Sequence, residues 1–221
     1  MEMQSFLEKN SLQKDDKRQN LLDLLYRYSK FNQSKKDSDS KEQAILVEKI
    51  KDFVLKTPKC FERESSGGHI TGSAFIVNSD LTHCLMTKHK KLKKWIQLGG
   101  HADGHPLIYD VSLKEAKEES GLSDFDFIDI KNFPKSLRKE SALPFDIDIH
   151  MIPKTPYEDK HFHYDIRFLF RAHEWDKISI SSESLDLKWI PLDDVINYSQ
   201  EISTLRQVIK VRTFIKEQKE H

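Results

Sequence analysis

Apolar positions early in the chain recur at helical spacing. Leu21, Leu22, Leu24, Leu25 and Tyr28 form one stripe, and residues 1–57 contain neither Gly nor Pro, so the pattern predicts a helix over about residues 4–29. Residues 30–40, KFNQSKKDSDS, are polar and read as a linker. Asp39 followed by Glu42 resembles a capping box. Behind it Leu46, Ile50, Phe53 and Val54 fall at i, i+4, i+7 and i+8, which predicts a second helix. From Ile70 the period drops to 2. HITGSAFIVN predicts a strand, Asn78-Ser79-Asp80 a turn and Thr82–Thr87 the returning strand. KWIQLGG predicts a short strand ending in a glycine pair, and Asp110–Ser120 a helix stopped by Gly121. FDFIDI follows as a strand. FDIDIHMIP alternates Ile147, Ile149 and Met151 against Asp146, Asp148 and His150. HYDIRFLFR alternates Tyr164, Ile166, Phe168 and Phe170, expected in the core, against His163, Asp165 and Arg167. LDLKWIPL is a last strand. Leu192–Tyr198 and Ser203–Lys216 read as helices, the second with Leu205, Val208, Ile209 and Ile215 as its apolar positions.

No internal repeat is visible. Two helices, several strands, one central helix, more strands and closing helices argue an α+β fold with a mixed sheet rather than alternating βαβ units. Residues 1–60 are expected as a helical extension packed on a main domain over 61–221. A homodimer contact or a substrate lid are the other roles open to those helices.

Composition narrows the function classes. The chain has 221 residues, enough for a sizeable core without disulfide or metal staples. Charged residues are 33%, but 36 Lys+Arg cancel 36 Asp+Glu. A balanced chain has no general pull on nucleic acid or anionic lipid, so phosphate chemistry must come from a local site. Mean hydropathy is −0.65, and no apolar run approaches a membrane span. The two cysteines, Cys60 and Cys84, give no framework and suggest a reduced, cytoplasmic setting, as does the lack of an apolar signal region in MEMQSFLEKN. All seven glycines lie between Gly67 and Gly121. Hairpin turns account for some of them; the crowding also hints at a site.

The most informative segment is GGHADGHPLIYDVSLKEAKEESGL, Gly99 to Leu122. On a helix, Glu115, Glu118 and Glu119 fall at i, i+3 and i+4 and share a face. Like charges at that spacing weaken a helix by a few tenths of a kcal/mol per pair. Such a ridge is either fully solvated or built around a cation. Hard divalent ions take oxygen ligands, and Mg²⁺ typically combines carboxylates with substrate phosphates and waters.

The spacing of Gly100, Glu115, Ala116, Glu118, Glu119, Gly121 and Leu122 resembles the Nudix box, G-x5-E-x7-R-E-apolar-x-E-E-x-G-apolar. Two positions depart from it: the first family Glu falls on Pro106 and the family Arg on Lys114. The resemblance implies a Nudix-type α/β/α sandwich with a loop–helix–loop site, here preceded by the two-helix extension. It implies hydrolysis of a diphosphate linkage, with Mg²⁺ or Mn²⁺ held by Glu115, Glu118 and Glu119. Glu118, Glu119 and Lys114 would then carry catalysis, Lys114 by orienting a glutamate more loosely than Arg would. Asp103 and Asp110 are candidates to replace the carboxylate missing at Pro106.

Five histidines, His69, His101, His105, His161 and His163, fall where such a fold could gather them. His161, His163 and Asp165 alternate and so share one strand face. The chain also resembles a Nudix subgroup with a GGHADG opening, a G-H-x-T-x-S strand like Gly68–Ser73 and a downstream H-x-H, a resemblance that names no substrate. Three roles stay open for these histidines: hydrogen bonds to substrate phosphates, a transition-metal site completed with the glutamates, or ordinary structural duty. Under the first, Gly99, Gly100, His101, His161 and His163 bind substrate. His83, His89, His150 and His173 read as structural or exposed, and His221 as a tail residue. Lys88–Lys94 reads as a solvated basic hairpin that could also steer phosphates, and Trp95 as core or as a base-stacking surface. Glu158 is a candidate general base outside the helix.

The leading expectation is a metal-dependent pyrophosphohydrolase acting on a nucleotide derivative or related organic diphosphate, by attack of metal-activated water on phosphorus. Its partner is a small phosphate substrate, not a membrane or bulk nucleic acid. The alternative is a non-catalytic Nudix-like module that binds a nucleotide. An isopentenyl-diphosphate-type isomerase of similar fold would need a cysteine just before the acidic helix, and Lys88–Gly100 has none.

Overall fold

The computed structural model describes residues 16–33, 38–65, 67–128, 142–155 and 158–219. The elements in chain order are α1 (Arg18–Gln33), α2 (Ser38–Lys56), β1 (Gly68–Val77), β2 (His83–His89), β3 (Trp95–Ile96), β4 (Leu98–His101), α3 (Ile108–Ser120), β5 (Phe125–Phe127), β6 (Asp146–Ile152), β7 (His161–Ala172), β8 (Ser184–Pro191), α4 (Val195–Tyr198) and α5 (Ile202–Lys219). Among the described residues the strands form one sheet in the order β3-β2-β1-β7-β5, with β4 paired to β1, β6 to β7 and β8 to β2. β2 lies antiparallel between β1 and β8, with Ile76 opposite Leu85 and Leu85 opposite Trp189. This is the expected α+β class.

The chain divides into two compact units. The first takes the residues up to Thr71, His101–Ile108 and Ile147–Ile166. Here α1 and α2 pack through Leu21, Leu22, Leu25 and Tyr28 on one side and Val47, Ile50 and Val54 on the other, all buried. Arg18 donates to the carbonyls of Val54 (3.1 Å) and Leu55 (3.2 Å), so one guanidinium satisfies orphan carbonyls at the end of α2. Gln43, fully buried, accepts from the Ile147 N–H and donates to the Ile147 carbonyl, while Tyr28 donates to it at 2.7 Å. One amide side chain thus serves as the backbone partner of β6. Phe53 stacks on Tyr164 at 3.8 Å between ring centres.

Several expectations shift in this unit. Residues 4–15 of the first expected helix, and residues 34–37 of the linker, lie outside the described residues. Lys30–Gln33 extend α1, and Asp39 sits inside the first turn of α2, so it does not cap that helix. The buried stripe of α2 is Gln43, Val47, Ile50 and Val54; Leu46 and Phe53 are only half-buried.

The second unit takes Gly72–Gly100, Tyr109–Asp146 and Arg167–His221. Its core joins Phe75, Val77, Met86, Phe145, Leu169, Ile190, Val208 and Phe214. KWIQLGG is two short strands broken at Gln97, whose amide pairs with Gln207 of α5. Ile209, expected on the apolar face of α5, is 61% exposed; Val211 and Phe214 are buried instead. The expected alternation in β6 and β7 also fails at several points: Asp165, assigned to the polar face of β7, is 1% exposed, and Met151, assigned to the apolar side of β6, is 47% exposed. Asp146 is 0% exposed, and Arg167, assigned to the polar face of β7, is 3% exposed. The cause is charge pairing. Asp146 accepts from Arg167 (3.1 Å), from Arg206 (2.9 and 3.0 Å) and from Lys210 (2.6 Å). Burial alone would raise the Asp146 pKa, but Lys210, Arg206 and Arg167 outweigh it and hold the carboxyl below its usual value.

Removing that carboxylate strands three cations. Asp146→Ala is expected to cost about 3–5 kcal/mol, measured by urea unfolding near neutral pH. Because the folded-state pKa is depressed, this stabilisation is present above the unfolded value of about 4 and fades as pH falls through the folded value. The wild type and Asp146→Ala stabilities should therefore converge in acid.

Candidate functional site

In the second unit, α3 presents Ser112, Ala116 and Ser120 to the interior, each 0% exposed. These small residues let the helix lie close to its neighbours. Glycine at the other side of the approach completes it. The Gly99 N–H donates to Glu119 Oε2 at 2.8 Å. A Cβ on Gly100 would lie 2.7 Å from Glu115 Oε1, and one on Gly99 would lie 2.7 Å from the Ser73 Cα, so neither position has room for a side chain. Gly121, at φ +72°, ends α3 by donating to the Lys117 carbonyl at 2.9 Å.

The glutamates are not equivalent. Glu119 is 6% exposed. Burial pushes its pKa up to about 7 against the opposing Gly99 hydrogen bond, with Glu115 and Glu183 raising it further. Burial likewise raises Glu115, opposed by Lys114 and reinforced by Glu118 and Glu183. Glu118 is exposed and pairs with Lys114 at 3.1 Å, while Lys114 lies 3.7 Å from Glu115. The sequence reading missed Glu183. It lies just before β8 in a loop pinned by the Lys90 N–H to Glu183 carbonyl bond of 2.9 Å. No helical or strand spacing tied it to the glutamate ridge.

The first unit gathers histidines. His69 in β1 has ring-centre distances of 4.9 Å to His101, 5.0 Å to His161 and 4.8 Å to His163. His150 in β6 lies 5.3 Å from His163. His150, read from sequence as structural or exposed, therefore belongs to this set, whereas His105 is exposed and has no ring contact among the described histidines. The register of β6 beside β7 supplied what strand parity alone could not. Burial, with the neighbouring charges Arg63 and His69, pushes His101 down to about 4. Burial with His150 and His101 pushes His163 down to about 2, and burial also lowers His69. His101 and His163 are therefore neutral at physiological pH and offer phosphate no full positive charge. Glu158 acts electrostatically on His69 and is exposed, and Asp103 is held by Arg63 at 2.6 and 2.8 Å. Burial raises the thiols of Cys60 and Cys84 to about 12, which leaves both inert as nucleophiles. Trp95 packs edge-on against Tyr198 at 5.5 Å with Lys188 over its ring.

No protein-family model matches the chain, and no curated relative does. Solved structures do. The binary complex of an Ap4A hydrolase from C. elegans superposes with a TM-score of 0.50 at 14% identity, covering 67% of this chain and 98% of that one. A NUDIX-family hydrolase from Clostridium perfringens matches with a TM-score of 0.48 at 27% identity over 66% of this chain and 97% of that one. The fold is that of the Nudix hydrolases. In this structure the run Gly100–Leu122 spans the end of β4, a loop and α3, with Glu119 buried, Glu115 half-buried and Glu118 exposed.

Three carboxylates of one charge set, two of them shielded from water, suit a hard cation and fit Mg²⁺ or Mn²⁺. Without one, Glu119 is a raised-pKa acid, so its stabilisation is greatest below about pH 4.5 and is lost as pH rises through about 7. Unfolding in the presence of chelator should show stability falling over that window. Glu119→Gln should abolish most of the fall, on the order of 3 kcal/mol. Matching pH profiles for the two proteins would contradict a buried, uncompensated Glu119.

Proposed function

We propose that this protein is a metal-dependent Nudix pyrophosphohydrolase that cleaves a diphosphate linkage in a nucleotide derivative or a related organic diphosphate. The observation that carries the reading is Glu119, buried, bonded to the Gly99 N–H at 2.8 Å, and raised by Glu115 and Glu183. Packing acids together in this way is costly unless a cation completes the set.

In this reading Glu115, Glu118 and Glu119 hold the ion, and Glu183 adds a carboxylate where Pro106 supplies none. Bound Mg²⁺ or Mn²⁺ would supply positive charge to the phosphate oxygens and acidify water at phosphorus. Gly99 fixes the orientation of Glu119 through its N–H. Lys114 holds Glu118 and Glu115 by charge, more loosely than a guanidinium fork would. Gly99 and Gly100, with no side chains, let Ser73 and the Glu115 carboxylate come close to the strand backbone. Water adds its oxygen to phosphorus, the bridging P–O bond breaks towards the leaving phosphate, and a carboxylate takes the proton. Positioning and charge stabilisation provide most of the acceleration in such chemistry.

A panel of nucleoside triphosphates, dinucleoside polyphosphates, nucleotide sugars and NAD, incubated with Mg²⁺ or Mn²⁺ and followed by phosphorus NMR, tests this. Turnover of at least one compound is expected, falling about 100-fold or more in Glu119→Gln and less in Lys114→Ala. Binding across the panel without turnover would replace the hydrolase with a nucleotide-binding module.

A further inference from the structure

His69, His101 and His163 come from three strands, β1, β4 and β7, and their candidate ligand nitrogens lie within 4.8 Å of one another. His161 adds a fourth: its Nε2 is 3.3 Å from His163 Nε2. That is the nitrogen–nitrogen spacing, about 3.3 Å, of a tetrahedral ion with bonds of about 2.0–2.1 Å. The orientation of His161 is fixed. Its Nδ1 lies 2.8 Å from the Asp159 carbonyl, which can only accept, so Nδ1 donates there and Nε2 is the nitrogen directed at His163. Ligating histidines commonly donate their other N–H to a carbonyl in this manner. His150 similarly sets its Nδ1 against Asp148 at 3.2 Å.

His69 is the deciding residue. It is 3% exposed, and neither ring nitrogen makes a hydrogen bond. The Arg63 carbonyl nearby lies outside hydrogen-bonding geometry. A buried imidazole with both nitrogens unanswered loses on the order of 1–3 kcal/mol per group. A ligand that accepts an electron pair would answer the unprotonated nitrogen of such a ring. The charge of Arg63, held by Asp103 at 2.6 and 2.8 Å, acts on His69 and His101 more strongly than Glu158 and Asp103 do, so the site rests on the convergence of its nitrogen donors.

We propose that His69, His101, His161 and His163 form a site for a zinc-class divalent transition ion, a site of different donor chemistry from the glutamate set. Imidazole nitrogens select zinc and its neighbours over Mg²⁺ and Mn²⁺, which prefer oxygen. Among His69, His101 and His163 the site requires contraction of nitrogen spacings that reach up to 4.8 Å.

The test uses the full chain, stripped by chelator and titrated with zinc alone by calorimetry, with Co²⁺ as a spectroscopic substitute. One zinc per chain and the visible absorption of tetrahedral Co²⁺ are expected. In nitrogen-15 spectra the ring signals of His69, His101, His161 and His163 should shift on adding zinc. Affinity should fall at least about tenfold in His163→Gln and in the partly exposed His161→Ala, which is the safer variant for folding. It should hold in Glu119→Gln, whose loss belongs to the hydrolase reading, so the two readings fail separately. Absence of stoichiometric zinc uptake, equal affinity in wild type and His161→Ala, or ring shifts produced by inorganic phosphate and not by zinc would each overturn the site.

Discussion

The contact between a bare strand backbone and an acidic helix face sets the rest of the second unit. Gly99 donates to Glu119, and Gly100 leaves its Cβ volume to the Glu115 carboxylate. A peptide N–H is a fixed donor that cannot follow a side chain outward. The helix is equally fixed, because Ser112, Ala116 and Ser120 bury the flank beside the glutamates with side chains too small to hold it off. Glu119 therefore cannot relax into water, and its raised pKa is the electrostatic record of that confinement. Glu118, one residue earlier on the helix, escapes to solvent and meets Lys114. Two adjacent glutamates thus acquire different chemistry through about 100° of helical rotation.

A group held this way weakens the fold that holds it. The chain offsets such costs with fully satisfied polar centres elsewhere. Asp146 buries one carboxylate under Arg167, Arg206 and Lys210, and Gln43 closes both of its hydrogen-bonding directions on Ile147. His69, by contrast, has neither ring nitrogen bonded, a state that Asn32 Nδ2 and the Ser199 hydroxyl share among the described residues, so an unanswered atom points to a ligand only where other donors converge on it, as they do at His69.

Periodicity made most of the elements legible. β1, β2, α3 and β8 follow from the shift of apolar spacing and from Gly121, because those signals are local. The box spacing marked Glu115 and Glu119 for the same reason: a helix turns sequence intervals directly into a face. What the sequence hid depends on contacts between distant segments. Asp146 looked like the polar side of an alternating strand, yet its partners on α5 are about sixty residues away. His150 joined the histidines through the neighbour that β6 takes in the sheet, and Glu183 reached Glu115 and Glu119 from a loop with no period at all. Strand parity assigns a face but not what lies opposite it.

The departures from the Nudix pattern bear on how the glutamate set would work. A proline at 106 cannot contribute a carboxylate, and Asp103, the nearest sequence substitute, is occupied by Arg63. Glu183, outside the box, raises both Glu115 and Glu119 by its charge. The substitution at Lys114 acts in a different way. An ammonium can leave a carboxylate at little geometric cost, whereas a guanidinium bonded at two points resists it. Glu118 can therefore exchange Lys114 for a cation without dismantling a forked pair. The weaker orienting residue makes the exposed glutamate easier to recruit, while Gly99 keeps the buried one in place.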